Sequence, residues 1–319
     1  MRRIVIRSCD FFPSFLIITA KDKLRGCVKL IGMEILKSSL KKNAFFIFAG
    51  CLIYIVGSIY GSSTRNQFDI AGFLLGLFFF LTMIAIQEFF NYLTSSKVNS
   101  YSKVNFNRGN KKSLLVILTI ILFGLYFFIL YYLLRINKLI GVNLVYIVAI
   151  SVLILSNASR LGKMVYNSMS VVFEGIIVSP LLFLLACGTQ DVNPDSGFVL
   201  LSMAFFFLYV SCRSSLLFEY FGKEGNNERS LLTLIGWENG IRIQNFTLVM
   251  AYVFFAWHFY RIGGLARNIP LLLTALFGIF SMYMMFRMSR GLKPQWQFIK
   301  ANAFLHFFAV CYLFVLPLF

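Results

Sequence analysis

The sequence predicts an all-α polytopic membrane protein, a bundle of about nine transmembrane helices, and three observations carry that expectation. The 319-residue chain is 59% hydrophobic and 18% aromatic, with only 13% charged residues, and its mean hydropathy is +0.79. Its apolar residues fall in runs of about 20, the length that crosses a bilayer core. Those runs lack strand alternation, and in lipid the backbone must satisfy its own polar groups, so they read as helices rather than a barrel. The basic residues are also unevenly placed around the runs: 24 of the 30 Lys and Arg fall in segments on one side, and Arg213 stands inside a span.

In chain order, residues 1–43 make a basic N-terminal segment. Arg2, Arg3 and Arg7 ahead of FFPSFLIITA have the layout of a short signal peptide. The next residues are KDKLRG rather than the start of a mature domain, so an uncleaved cytoplasmic segment is the expectation. KLIGMEILKSSLKK (29–42) is amphipathic and basic, suited to lie on the inner leaflet, and Met33 is an alternative start. Residues 44–319 form the transmembrane domain, with spans near 44–61, 70–94, 113–134, 139–156, 167–187, 197–217, 243–262, 269–286 and 299–318.

The charge asymmetry sets the orientation. It places the N-terminus in the cytoplasm and the C-terminus outside, in the cytoplasmic membrane if the source is a bacterium. The net charge of +18 then reports topology and attraction to anionic lipid, with no nucleic-acid partner implied. Two polar internal connections, 95–112 and 218–242, are rich in Gly, Asn and Ser and are the natural places for a site. The six cysteines are scattered without a CxxC pair and read as small packing residues.

Ionisable residues inside the spans are few, and each needs a partner, a cavity or a short route to the interface, because a charge at mid-bilayer costs roughly 2.5–3.5 kcal/mol or more. Apart from basic residues at span ends, they are Glu88, Glu174, Arg213, His258 and His306. Glu88, Arg213 and Glu219 fall at similar depth. A Glu88–Arg213 pair or a Glu88–Glu219–Lys223 cluster would be either a bridge between helices or the polar floor of a ligand cavity. Glu174 either snorkels to the interface or faces a cavity. His258 in AWHFYRIGG reads as part of an aromatic belt, and His306 in FLHFFAV as a satisfied core histidine. Two histidines without a Cys or Asp cluster do not make a zinc or haem site, and no GxSxG, Walker or HExxH motif occurs.

Three stretches carry a family resemblance that extends from about residue 44 to the C-terminus. EYFGKEGNNERSLLTLIG (219–236) matches without gaps a pattern of the form DIExDRxAGKRTLAVRLG, into which a DxxxD motif runs. It keeps Arg229, Leu231 and Gly236, has Ser230 for Thr, and puts Glu219 and Lys223 at the two aspartate positions. Gln87, Phe90, Asn91, Tyr92 and Thr94 occupy an NxxNDYxD motif in which only the Tyr is kept. Residues 165–190 are similar to a third segment through Tyr166, Ser179–Pro180 and Gly188, with Val171 replacing an acid. In these features the chain resembles the UbiA superfamily of intramembrane prenyltransferases, in its quinone-synthesising branch, with both Asp-rich motifs degenerate.

The resemblance implies a helical bundle around a central cavity and transfer of a prenyl group from an isoprenyl diphosphate. In the family the leaving diphosphate is neutralised by Mg²⁺ between two carboxylate clusters. Glu219, even with Glu224 and Glu88, is a poor substitute for those clusters, and Lys223 in a ligand position repels a cation. No Mg²⁺ site is therefore assigned. The basic alternative is direct contact with a phosphate or carboxylate by Lys97, Lys103, Arg108, Lys223 and Arg229, against the bland reading that these residues only enforce topology. Glu219 and Lys223 are thus the candidate catalytic residues, and Glu88, Asn91, Lys103, Arg213 and Arg229 the candidate substrate-binding ones. The expected function is binding of an isoprenoid or quinone-type lipid, with prenyl transfer by an altered mechanism if the protein is catalytic. The alternative is a non-catalytic membrane subunit that keeps the scaffold to pack against a protein partner. A transporter is the weaker reading, because no pair of spans is broken by Gly and Pro.

Overall fold

The computed structural model describes residues 43–94, 108–136, 138, 141–156, 169–220, 235–293 and 295–319, and among these no strand occurs. They form nine rods: α1 (Asn43–Arg65), α2 (Ile70–Thr94), α3 (Arg108–Arg135), α4 (Val142–Ser156), α5 (Met169–Thr189), α6 (Ser196–Leu217), α7 (Trp237–Arg261), α8 (Ala266–Ser289) and α9 (Trp296–Leu318). The protein is an all-α membrane bundle. Seven rods are long and apolar enough to cross a membrane. The other two differ for separate reasons. α4 has only 15 residues, whereas α7 has 25, about 37 Å of helix at 1.5 Å per residue, but begins with the polar run WENGIRIQN.

The rods run further than the apolar stretches that announce them. α1 continues to Arg65 because Ser62, Ser63 and Thr64 donate to the carbonyls of Ile59, Tyr60 and Gly61, three residues back. α2 starts where the Asp69 side chain accepts from the Ala71 and Gly72 amides. α6 starts likewise at Asp195, which accepts from Gly197 and Phe198. In α5, Pro180 has no N–H to give, and the helix widens to a π turn over Ile177–Leu181. Ser179, inside that turn, donates across to the Ser202 carbonyl of α6 at 2.5 Å.

Close approach of small residues sets the packing, as expected where lipid offers no hydrophobic drive between helices. A Cβ on Gly57 of α1 would lie 2.8 Å from the Phe183 carbonyl of α5, and one on Gly76 of α2 would lie 2.0 Å from the Tyr54 hydroxyl. One contiguous core draws on all nine rods, with α3 giving only Ile129 and Leu133 and α8 only Leu271, and it is rich in Phe. A smaller cluster of Phe218, Met284, Met285, Met288 and Ile299 sits where α6, α8 and α9 end or begin. α3 and α8 lie outermost and expose most of their apolar surface, as lipid-facing helices do.

Contacts at the two ends show the rods alternating up and down. The start of α1 meets the end of α2, and the end of α6 meets the start of α9. This is the end that carries the basic connections, called here the basic end. The opposite end is tied by Lys138, which bonds Asp191 and pairs with Asp69 at 2.7 Å, and by Arg65 on Asp191. Gln190 accepts from the Asp69 amide and donates to its carbonyl. Three connections are thereby fastened together. Burial alone would raise the Asp69 carboxyl, yet Lys138 and the Gly72 and Ala71 amides outweigh it and hold its pKa below the ordinary value. Burial would likewise lower Lys138, but Asp191 and Asp69 prevail and raise it.

Candidate functional site

The charged groups inside the bundle gather towards the basic end, but in pairings the sequence did not announce. Arg213 of α6 does not meet Glu88. It forks onto Glu174 of α5, with Nε 2.8 Å from Oε2 and Nη2 3.3 Å from Oε1. The Tyr209 hydroxyl, one turn back on the same helix face, donates to the same Oε2 at 2.8 Å. Glu174 and Arg213 are 8% and 12% exposed in their side chains, so the pair is removed from solvent and Glu174 does not snorkel. The Tyr209 ring leans on Phe45 of α1 and Phe307 of α9, and Phe45 meets Phe304 edge-on at 5.1 Å. The result is a buried ion pair, capped by a hydroxyl, that packs against core aromatics.

The other candidates divide between engaged residues and residues beyond description. Glu88 accepts from Asn43 Nδ2 at 2.5 Å, which ties α2 to the start of α1. Glu219 pairs with Lys300 of α9 at 2.5 Å. Of the expected Glu88–Glu219–Lys223 cluster, the two acids have partners on α1 and α9, and Lys223 lies outside the described residues. Asn91 stands in the last turn of α2, with its side chain outside the described residues. Lys103, Lys223 and Arg229, together with Lys97, Glu224 and the whole 1–42 segment, lie outside them too.

The residues present fit a Mg²⁺ site poorly. Among the described residues, no three of the His, Cys, Asp and Glu side chains gather as a metal would need. Glu88, Glu174 and Glu219 are each engaged by a neutral or cationic donor on another helix. Hard divalent cations need several convergent oxygens, and none are assembled among the described residues.

The histidines behave differently from each other. His306 is a core histidine as expected, with Nε2 2.7 Å from the Tyr252 hydroxyl, which also meets Thr274. His258 is no part of an exposed belt. It is 1% exposed, edge-on to Phe259 and Tyr60, and its two ring nitrogens have no partner. Trp257 and Tyr260 make the exposed aromatic edge instead.

Sequence reasoning passed over Tyr209, Lys300 and the amides of α7. Tyr209 could have been found from its spacing of four from Arg213, which puts both on one helix face. Lys300 was counted as a topology signal. The α7 amides, Gln244 and Asn245, stand just inside the 243–262 span, where only the ionisable residues drew notice.

The chain is similar in fold to a solved membrane digeranylgeranylglyceryl phosphate synthase, a UbiA-superfamily prenyltransferase, with a TM-score of 0.61 and 16% identity over 89% of this chain and 99% of that one. No protein-family model and no curated protein matches the chain.

Proposed function

We propose that this UbiA-like bundle binds an isoprenoid or quinone-type lipid, and that it does so without a carboxylate-held metal. The observation that supports the scaffold is the fold likeness over nearly all of both chains. The observation that directs the mechanism is that Glu174, Glu88 and Glu219 each meet a partner on another helix. The aromatic side chains of Phe45, Phe304 and Phe307 beside the Tyr209–Glu174–Arg213 cluster suit a polyunsaturated chain. Contact with any phosphate then falls to Lys103, Lys223 and Arg229, and prenyl transfer, if the protein performs it, runs by an altered mechanism. In this reading the basic end faces the cytoplasm.

The pairing of the acids also favours a second reading, a non-catalytic membrane subunit that retains the scaffold for a protein partner. Extraction in mild detergent and native mass spectrometry of the product separate the two. The lipid reading expects an isoprenoid bound in about 1:1 ratio. A stoichiometric protein complex free of isoprenoid would replace it with the subunit reading.

A further inference from the structure

Where the third turn of α7 begins, two shielded amide oxygens have no donor among the described residues. Gln244 is 1% exposed. Its Nε2 donates to Ser281 of α8 at 3.0 Å, and its backbone carbonyl accepts from Ser211 of α6, while its Oε1 has no partner. Asn245, next in sequence, also has a shielded Oδ1 without a partner. With Nε2 committed to Ser281, the atom left unpaired is the acceptor Oε1. This stretch of α7 faces α8: Leu248 packs where Gly278 would carry a Cβ, at 2.7 Å. α8 is an outer helix with Ile279, Phe280 and Tyr283 exposed.

Buried acceptors without donors are costly in any protein. Their chemistry is selective. An amide oxygen accepts and cannot donate, so it favours a hydroxyl and gains nothing from an ether or the oxygens of an ionised diphosphate.

We infer that Gln244 and Asn245 form a subsite on the α7–α8 seam for the hydroxyl of an isoprenoid ligand, a prenyl alcohol or the phenolic group of a reduced quinone-type ring. The inference rests on the isoprenoid reading above and adds the head group. Asn302 of α9, which donates to the Phe277 carbonyl of α8, shows what an engaged amide looks like in the same part of the bundle.

The test compares geranylgeraniol with its methyl ether, which keeps the chain and the oxygen but lacks the O–H, on purified protein in phosphatidylcholine nanodiscs. That lipid has no hydrogen-bond donor of its own. The alcohol is expected to bind about tenfold more tightly than the ether, the effect of one well-placed hydrogen bond. Asn245→Leu and Gln244→Met are expected to reduce the preference towards unity while leaving ether binding unchanged. Asn245→Leu is also expected to hold or raise the unfolding temperature, because it removes an orphan rather than a contact; a purely structural amide would lower it.

Equal binding of alcohol and ether by the unaltered protein overturns the subsite and leaves the lipid reading standing. A preference that survives in both variants overturns it as well. If neither ligand binds, the lipid reading fails and the inference goes with it. Repeating the assay with phosphatidylethanolamine present keeps the preference if the isoprenoid is the occupant; its loss would hand the seam to a lipid head group and overturn the assignment.

Discussion

Glu174 and Arg213 form a buried ion pair whose value lies in its completeness. Removing one member leaves the other charge uncompensated, at a cost of roughly 3–5 kcal/mol. Glu174→Leu should therefore lower stability by about that amount in detergent unfolding experiments, and the double variant Glu174→Leu with Arg213→Leu should recover much of it. Tyr209→Phe removes one hydrogen bond to the carboxylate and should cost about 1.5–3 kcal/mol. At the far end, Asp69 has a lowered pKa and Lys138 a raised one. The Asp69 contribution is complete above its unfolded value and is lost as pH falls through its lower folded value. The Lys138 contribution is complete below its unfolded value and is lost as pH rises through its higher folded value. Stability should thus be level from about pH 4 to about pH 10 and fall on both sides, and Lys138→Met should lower the plateau by ~1–2 kcal/mol and flatten both flanks. The pairing was illegible in sequence because Glu88 and Glu174 both lie near the depth of Arg213; only the contact between α5 and α6 chooses between them.

Helices were easier to read than their partners. Nine apolar runs became nine rods among the described residues, since the need to satisfy backbone polar groups leaves few alternatives in lipid. Their ends were less legible. α1 and α3 extend past their apolar runs, and α7 begins at Trp237 although its first two turns look like loop. Polar residues at a membrane surface can continue a helix as readily as end it. Register between helices depended on glycines whose role is invisible without a neighbour. Gly76→Ala would drive a methyl into the Tyr54 hydroxyl, which is held against Thr189 and the Gly72 carbonyl. A loss of about 1–3 kcal/mol is expected in thermal unfolding, with little change for Gly124→Ala, where nothing lies within 4 Å of the added atom.

The whole bundle is similar in fold to the membrane digeranylgeranylglyceryl phosphate synthase, while its Glu88, Glu174 and Glu219 each meet a partner on another helix. That combination explains why the fold could be read from the sequence and the chemistry could not: long apolar runs leave little but a helical bundle, while the candidate cations Lys103, Lys223 and Arg229 lie outside the described residues. Binding of geranylgeranyl diphosphate to the purified protein, titrated with Mg²⁺ and again with a chelator, tests this most directly. The affinities should agree within about threefold, a difference of less than 1 kcal/mol. Binding that vanishes with the chelator would contradict the account, because carboxylates would then have to hold the metal after all.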